Sequence, residues 1–196
     1  MSPHLTRRHR TAKQIQAAAI SLAVRDGLAN VTTEAIAREA GISTRTFFNY
    51  YPYKEAALMG PPPDYPAEAS EAFVTGKGRL IDDLATLIRA HLSRYLDERE
   101  MIAHLLALSE TDPKLEALRN STMLARRAQM RDLLHRRMPG SDPRLIEILA
   151  AAITAATNAA TKDWVSGERK DFIAAAHENL SLIIVAAEFM SKPLDA

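Results

Sequence analysis

The chain, 196 residues long, contains no cysteine. That single absence excludes disulfides, thiol nucleophiles, iron–sulfur clusters and cysteine-ligated zinc. Strand pattern is also scarce: there is no sustained apolar/polar alternation and there are few β-branched runs, so little is available to build a sheet. Phosphate-binding glycine loops are missing. Gly76-Lys77-Gly78 is too short and no matching Ser/Thr pattern follows it. No Gly-x-Ser-x-Gly elbow occurs. The histidines at 4, 9, 91, 104, 135 and 177 lack metal-ligand spacing, and Asp82-Asp83 would point in different directions on a helix. Neither enzymatic activity, a metal nor a cofactor is therefore expected. No run reaches the roughly 18 apolar residues of a membrane span; the longest uncharged run, Ile148 to Thr161, carries Thr154, Thr157, Asn158 and Thr161. The first ten residues are charged without an apolar stretch behind them, so no signal peptide, no membrane partner and a cytoplasmic location are expected.

What the chain does have is an uneven charge distribution. Residues 1–54 hold eight Lys/Arg against three Asp/Glu, net +5, while the remainder holds seventeen against twenty-one, net −4. A basic first quarter on an acidic body suits one face for a polyanion and another for something else.

Helical spacing of apolar residues appears almost throughout. Ile15, Ala18, Ala19, Leu22 and Ala23 form a stripe that ends at Asp26-Gly27. Thr32 or Thr33 caps a short helix closed by Gly41, and Ser43 caps another through about Tyr50. Tyr53 to Met59 adds a further turn or two. Gly60-Pro61-Pro62-Pro63, Pro66, Gly76 and Gly78 punctuate a linker with a short turn around Ala67 to Phe73. Long helices are predicted at about 79–97, 98–109, 113–138, 143–166 and 170–190. The fold class is all-α with about nine helices, divided into a DNA-binding domain over 1–59 and a ligand-binding and dimerisation domain over 60–196.

Two short capped helices around Gly41-Ile42 make the pattern of a helix-turn-helix, whose second helix enters the major groove. Ile42, Phe47 and Tyr51 would pin that second helix, leaving Thr44, Arg45, Phe48 and Asn49 outward. Arginine can bond both acceptors of guanine, asparagine can pair with adenine, and Phe or a Thr methyl can touch thymine methyls. Thr32, Thr33, Ser43, Thr46, Tyr50 and Lys54 complete the candidate DNA-binding set, as hydroxyls, cap amides and a cation for phosphates.

The run Thr33-Glu-Ala-Ile-Ala-Arg-Glu-Ala-Gly-Ile-Ser-Thr-Arg-Thr-Phe-Phe-Asn-Tyr-Tyr-Pro-Tyr-Lys-Glu-Ala-Ala-Leu58 resembles the N-terminal signature of TetR-type transcriptional regulators. That signature reads Ile-Ala-x-x-Ala-Gly-Val-Ser, then an aromatic, two variable positions, a second aromatic and Pro-x-Lys-Glu. Tyr51 in place of the usual Phe is a mild departure. The resemblance covers about residues 10–60. It implies a homodimeric regulator on a palindromic double-stranded DNA operator, most often a repressor, with recognition helices about 34 Å apart. It also implies a helical C-terminal domain that dimerises and binds an inducer. The Phe47–Tyr51 wording and the Gly-Pro-Pro-Pro run are similar to an actinobacterial-type subset, some of whose members are associated with acyl-thioester effectors.

In the C-terminal part, Leu145, Leu149, Ile153, Ala156 and Ala160 form one seam, and Phe172, Ala176, Leu180, Ile183, Ala187 and Met190 another. Periodicity alone does not separate interface from core; the resemblance favours a dimer through both helices, a four-helix bundle. The wide apolar face around Leu84 to Tyr95, with methionines at 101, 123 and 130, suits a pocket for a small hydrophobic effector. His91, Tyr95, His104 and Arg126 are its candidate polar anchors, and Trp164 a candidate wall. The alternative is a helical small-molecule-binding protein without a DNA role, which leaves Arg45, Asn49, Tyr50 and Lys54 unexplained.

Overall fold

The computed structural model describes residues 3–61 and 64–191, with side chains from residue 7 onward. The first residues of the basic N-terminus and two prolines of the expected linker, Pro62 and Pro63, lie outside the described residues. Among the described residues there are ten α-helices, two 3-10 turns and no strand. The helices are α1 (Pro3–Asp26), α2 (Thr33–Glu39), α3 (Thr44–Phe48), α4 (Lys54–Met59), α5 (Ala67–Thr75), α6 (Leu80–Leu92), α7 (Arg99–Thr111), α8 (Pro113–Arg137), α9 (Pro143–Ser166) and α10 (Phe172–Met190). The all-α expectation therefore holds.

Two elements differ from the sequence reading. The expected linker contains a real helix, α5, whose Phe73 is buried; its Ala- and Glu-rich wording favours helix despite the prolines before it. Helix α6 stops at Leu92, and Ser93–Glu98 continue as a 3-10 turn. Ser93 Oγ donates to the Arg89 carbonyl at 2.7 Å, a back-bond that competes with regular helical pairing.

The chain packs as two compact units, one of Met1–Pro62 with Glu100–Thr122, the other of Pro63–Arg99 with Met123–Ala196. In the first, α1 packs against α2 and α4 around a core of Ile15, Ala19, Ile36, Phe47 and Leu58. Leu115 of α8 is fully buried in the same core, and Met101, Leu105 and Leu108 of α7 pack on it. In the second, α9 packs along α10, and α6 packs on both α5 and α10.

Gln16 clasps the end of α4. Its Nε2 donates to the carbonyls of Leu58 and Met59, each at 3.1 Å. The next residue, Gly60, has φ +75 and ψ −170, a region open essentially to glycine alone, and a Cβ there would sit on the Gln16 amide. Gly60→Ala adds backbone strain and displaces a buried amide from two carbonyls. A loss of about 2–4 kcal/mol in unfolding free energy is expected, measured by denaturant melting.

By length and mean hydropathy, α10 is long and apolar enough to cross a membrane, which corrects the expectation that no segment is. It carries His177, Glu178 and Glu188, and Phe172, Ala175, Ala176 and Leu180 are buried within the second unit. That is the pattern of a core helix with one free face.

Candidate functional site

The helix-turn-helix is set by local chemistry. Thr32 Oγ1 accepts from the Ala35 N–H at 3.1 Å, and Ser43 Oγ accepts from the Thr46 N–H at 3.0 Å. Both hydroxyls are therefore N-caps. Between them Gly41, at φ +65, lets the chain turn sharply. Ser43 and Thr46 also bond each other at 2.8 Å, and Thr33 donates to Glu34 at 3.2 Å. These hydroxyls are tied into the fold before any phosphate arrives.

Phe47 orients α3. It is fully buried and contacts Phe48 edge-on at 5.4 Å and Tyr51 at 6.3 Å. The Tyr51 hydroxyl donates to the Ala12 carbonyl of α1 at 3.2 Å, and burial pushes that phenol up to about 12. With Phe47 inward, Arg45, Phe48 and Asn49 are exposed, while Thr44, Thr46 and Tyr50 are half-buried. Phe48 leaves 52% of its surface in water, so the ring is open to a partner in the groove.

The basic N-terminal stretch continues α1, with Arg7, Arg8, His9 and Arg10 exposed on it. Arg8 lies over the Tyr50 ring at 4.9 Å and its Nη2 is 3.5 Å from the Asn49 carbonyl. Arg8 thus borders the exposed end of α3, a proximity that sequence separation concealed.

Lys54 departs from its expected role. Its Nζ donates to the carbonyls of Leu28 at 2.8 Å and Val31 at 2.9 Å. The ammonium ties the 3-10 turn Leu28–Asn30 to the start of α4, and only one N–H remains for a phosphate. Sequence reasoning also missed Lys114. It pairs with the largely buried Glu55 at 3.0 Å and lies 4.5 Å from the Tyr53 ring, fastening α8 to α4 inside the first unit.

The four candidate effector anchors do not all meet. His91, Tyr95 and Arg126 lie in the second unit, whereas His104 is exposed in the first. Met101, expected around a cavity, packs with Leu105 on the first unit's core instead. The His91 ring is 1% exposed, 4.8 Å from the Tyr65 ring and 5.4 Å from the Tyr95 ring. Burial and the Arg126 guanidinium push His91 down to about 3, so it is neutral. Burial pushes Tyr65 up to about 12 against the pull of Arg126, and raises Tyr95 against the pull of Arg94 and then Arg126. His91 Nδ1, Arg126 Nε and Gln129 Oε1 are enclosed without a hydrogen-bond partner. Gln129, one turn from Arg126 on α8, was missed by the sequence reading, although the spacing of three places both on one helix face. Trp164 is buried and stacks on Phe172 at 4.4 Å, where α9 meets α10.

A separate, partly open cleft of about 350 Å³ runs between α6 and α10, with Ile88, Arg89, Leu92, His177 and Leu180 among its walls. None of the four predicted anchors lines it.

The expected dimer seam is divided. Ile153, Ala160 and Leu180 are buried within the chain itself, 2% exposed or less; they are core, because α9 and α10 pack on each other through those positions. Leu149, Ala156 and Ile183 are half-buried and Ala187 is exposed. The apolar surface left in water is elsewhere on the same helices. It comprises Leu145 and Ile148 of α9 with Leu182, Ile184, Val185, Phe189 and Met190 of α10, the last two 64% and 82% exposed.

Residues 15–58 match the family model of bacterial regulatory proteins, tetR family. None of the curated proteins matches the chain at a significant level. Among solved structures, the chain is similar to the TetR-family transcriptional repressor FadR of Thermus thermophilus, crystallised with lauroyl-CoA. The identity is 23% and the TM-score 0.56, over 88% of this chain and 93% of that one. It is likewise similar to the fatty acid degradation regulator FadR of Bacillus halodurans, 17% identical with TM-score 0.55, over 88% and 93%. A transcriptional regulator from Rhodococcus sp. Rha1 is 17% identical with TM-score 0.51, over 89% and 96%. Residues 15–58 therefore carry the match to the tetR family of bacterial regulatory proteins, and the chain has the fold of the solved regulators it resembles.

Proposed function

We propose that the protein is a homodimeric transcription regulator, a repressor, that binds a palindromic operator through α3 and leaves it when a small apolar effector binds the second unit. The observation that carries this reading is the exposed face of α3. Arg45, Phe48 and Asn49 are exposed on a helix fixed by a buried Phe47, beside the Arg8 cation. The rival reading, a ligand-binding protein with no DNA role, offers no reason for that face.

Arg45 and Asn49 are the base readers, and Phe48 and the Thr44 methyl meet thymine. Tyr50, Thr33, Thr46 and the cap amides near Thr32 and Ser43 position the phosphates, together with the remaining Lys54 N–H. Domain roles follow: residues 1–59 bind DNA, and 60–196 bind the effector and dimerise. The effector reading is supported by the unpartnered polar atoms at His91, Arg126 and Gln129. Each such atom costs about 1–3 kcal/mol when buried unpaired, and a ligand that satisfies them recovers that stability. The open α6–α10 cleft has no such buried, unpartnered polar atoms.

Fluorescence anisotropy with DNA flanking the protein's own gene tests the reading. Affinity should fall steeply with salt, and the triple variant R7A/R8A/R10A should flatten the slope by up to about 3, near 0.9 per lost phosphate contact. Arg45→Ala should cost about 1–3 kcal/mol on the operator and relax base preference at one position per half-site, with little change in salt slope. Equal binding of operator and random DNA by the unmodified protein would sink the proposal.

A further inference from the structure

Two consecutive tyrosines just after α3 meet two consecutive turns of α1. The Tyr51 hydroxyl donates to the Ala12 carbonyl at 3.2 Å, and the Arg8 guanidinium lies over the Tyr50 ring at 4.9 Å. Arg8 and Ala12 are four residues apart, so they share one face of α1. Gln14 Nε2 donates to the Ala40 carbonyl at 3.0 Å, which ties the same stretch of α1 to the end of α2. The place of Arg8 beside α3 is therefore set by the inward-facing contacts of Tyr51 and Gln14, not by its own exposed side chain.

Arg8 Nη2 also faces the Asn49 carbonyl at 3.5 Å. Asn49 is the C-cap of α3, and the last carbonyls of a helix lack helical partners, which a nearby arginine can supply. The same guanidinium pulls against burial at the Tyr51 phenol. Arg7 and Arg10 make no such ring or carbonyl contact among the described residues. A guanidinium on a ring face uses its flat surface, and Asn49 takes one N–H. Most of its five N–H donors remain for an anion.

We infer that Arg8 and Tyr50 form one preassembled phosphate clamp, in which the Tyr50 ring holds the Arg8 guanidinium ready for a backbone phosphate of the bound DNA. This rests on the reading of α3 as the helix that meets DNA. An arginine ordered before the phosphate arrives loses less side-chain entropy on binding than a free one. An exposed cation–π contact favours the held arrangement by about two- to fivefold.

A double-mutant cycle on the full chain tests the clamp, with binding of operator DNA and of random DNA of equal length followed by anisotropy over a range of salt. R8A should weaken binding about tenfold or more, the loss of a hydrogen bond to a charged group, and lower the salt slope by about 0.9. With Y50L already present, the same Arg8→Ala change should cost about two- to fivefold less. With Y50F, which keeps the ring, it should cost as much as in the unmodified protein. R7A should cost the same with and without Y50L. Y50M serves if Y50L does not fold. The coupling should appear on both DNAs, because phosphate contacts carry no sequence information. An Arg8→Ala effect of equal size with and without Y50L overturns the clamp, as does an R8A salt slope equal to that of the unmodified protein. Coupling on both DNAs with no preference for the operator supports the clamp and removes the base readers of α3 instead. If neither DNA binds, the reading of α3 falls and the clamp with it.

Discussion

Phe47→Ala should unfold the DNA-binding unit or bring it close to unfolding, and with it abolish operator binding. Phe47 is fully buried where α1, α2 and α3 meet, and truncating a buried phenylalanine costs about 3–5 kcal/mol in lost transfer energy and cavity. That is comparable with the whole stability of many domains. The neighbouring Phe48→Ala is the control. Its ring is half in water, so its stability should change by only about 0.5 kcal/mol, while operator affinity falls if the ring meets thymine methyls. Thermal melting and anisotropy on the pair of variants separate the two roles. A Phe47 variant that melts like the unmodified protein would show that α3 is held by something other than this ring.

The second large effect is expected on α10. Leu182, Val185 and Phe189 are spaced three and four residues apart and all are more than half exposed, forming an apolar stripe on one face of a helix. Under the homodimer proposal a second copy covers that stripe together with Leu145 and Ile148 of α9. The double variant V185E/F189E would place two carboxylates in an apolar interface, at several kcal/mol each unless they are solvated. The protein should become monomeric by light scattering. Operator affinity should fall at least about a hundredfold, because two linked half-site contacts become independent ones. Both residues face water in the single chain, so the monomer should stay folded. By contrast Leu180→Glu attacks the core of the chain itself and should unfold the second unit, so it reports nothing about association. A folded, unchanged dimer from V185E/F189E would place the interface on another surface.

Much of this protein is determined by local sequence. The helix-turn-helix needs only short-range chemistry: Thr32 and Ser43 cap from within three residues, and Gly41 turns where a left-handed residue is required. Which of two adjacent phenylalanines is core also follows from helical spacing, since Phe47 shares a face with Tyr51. Other features depend on groups far apart in the chain, and no periodicity reports them. Lys54 looks like a free cation until Leu28 and Val31 bring their carbonyls to it across more than twenty residues. The apolar stripes of α9 and α10 are equally regular whether they face each other or a second copy. Only packing assigns Ile153, Ala160 and Leu180 to the interior and leaves Val185 and Phe189 outside. His104 and His91 are alike on paper, yet one is exposed in the first unit and the other is buried in the second, among Tyr65, Tyr95 and Arg126. Residue type limits what each side chain can do; burial and the partners that tertiary folding supplies decide whether its charge is solvated, paired or left for a ligand.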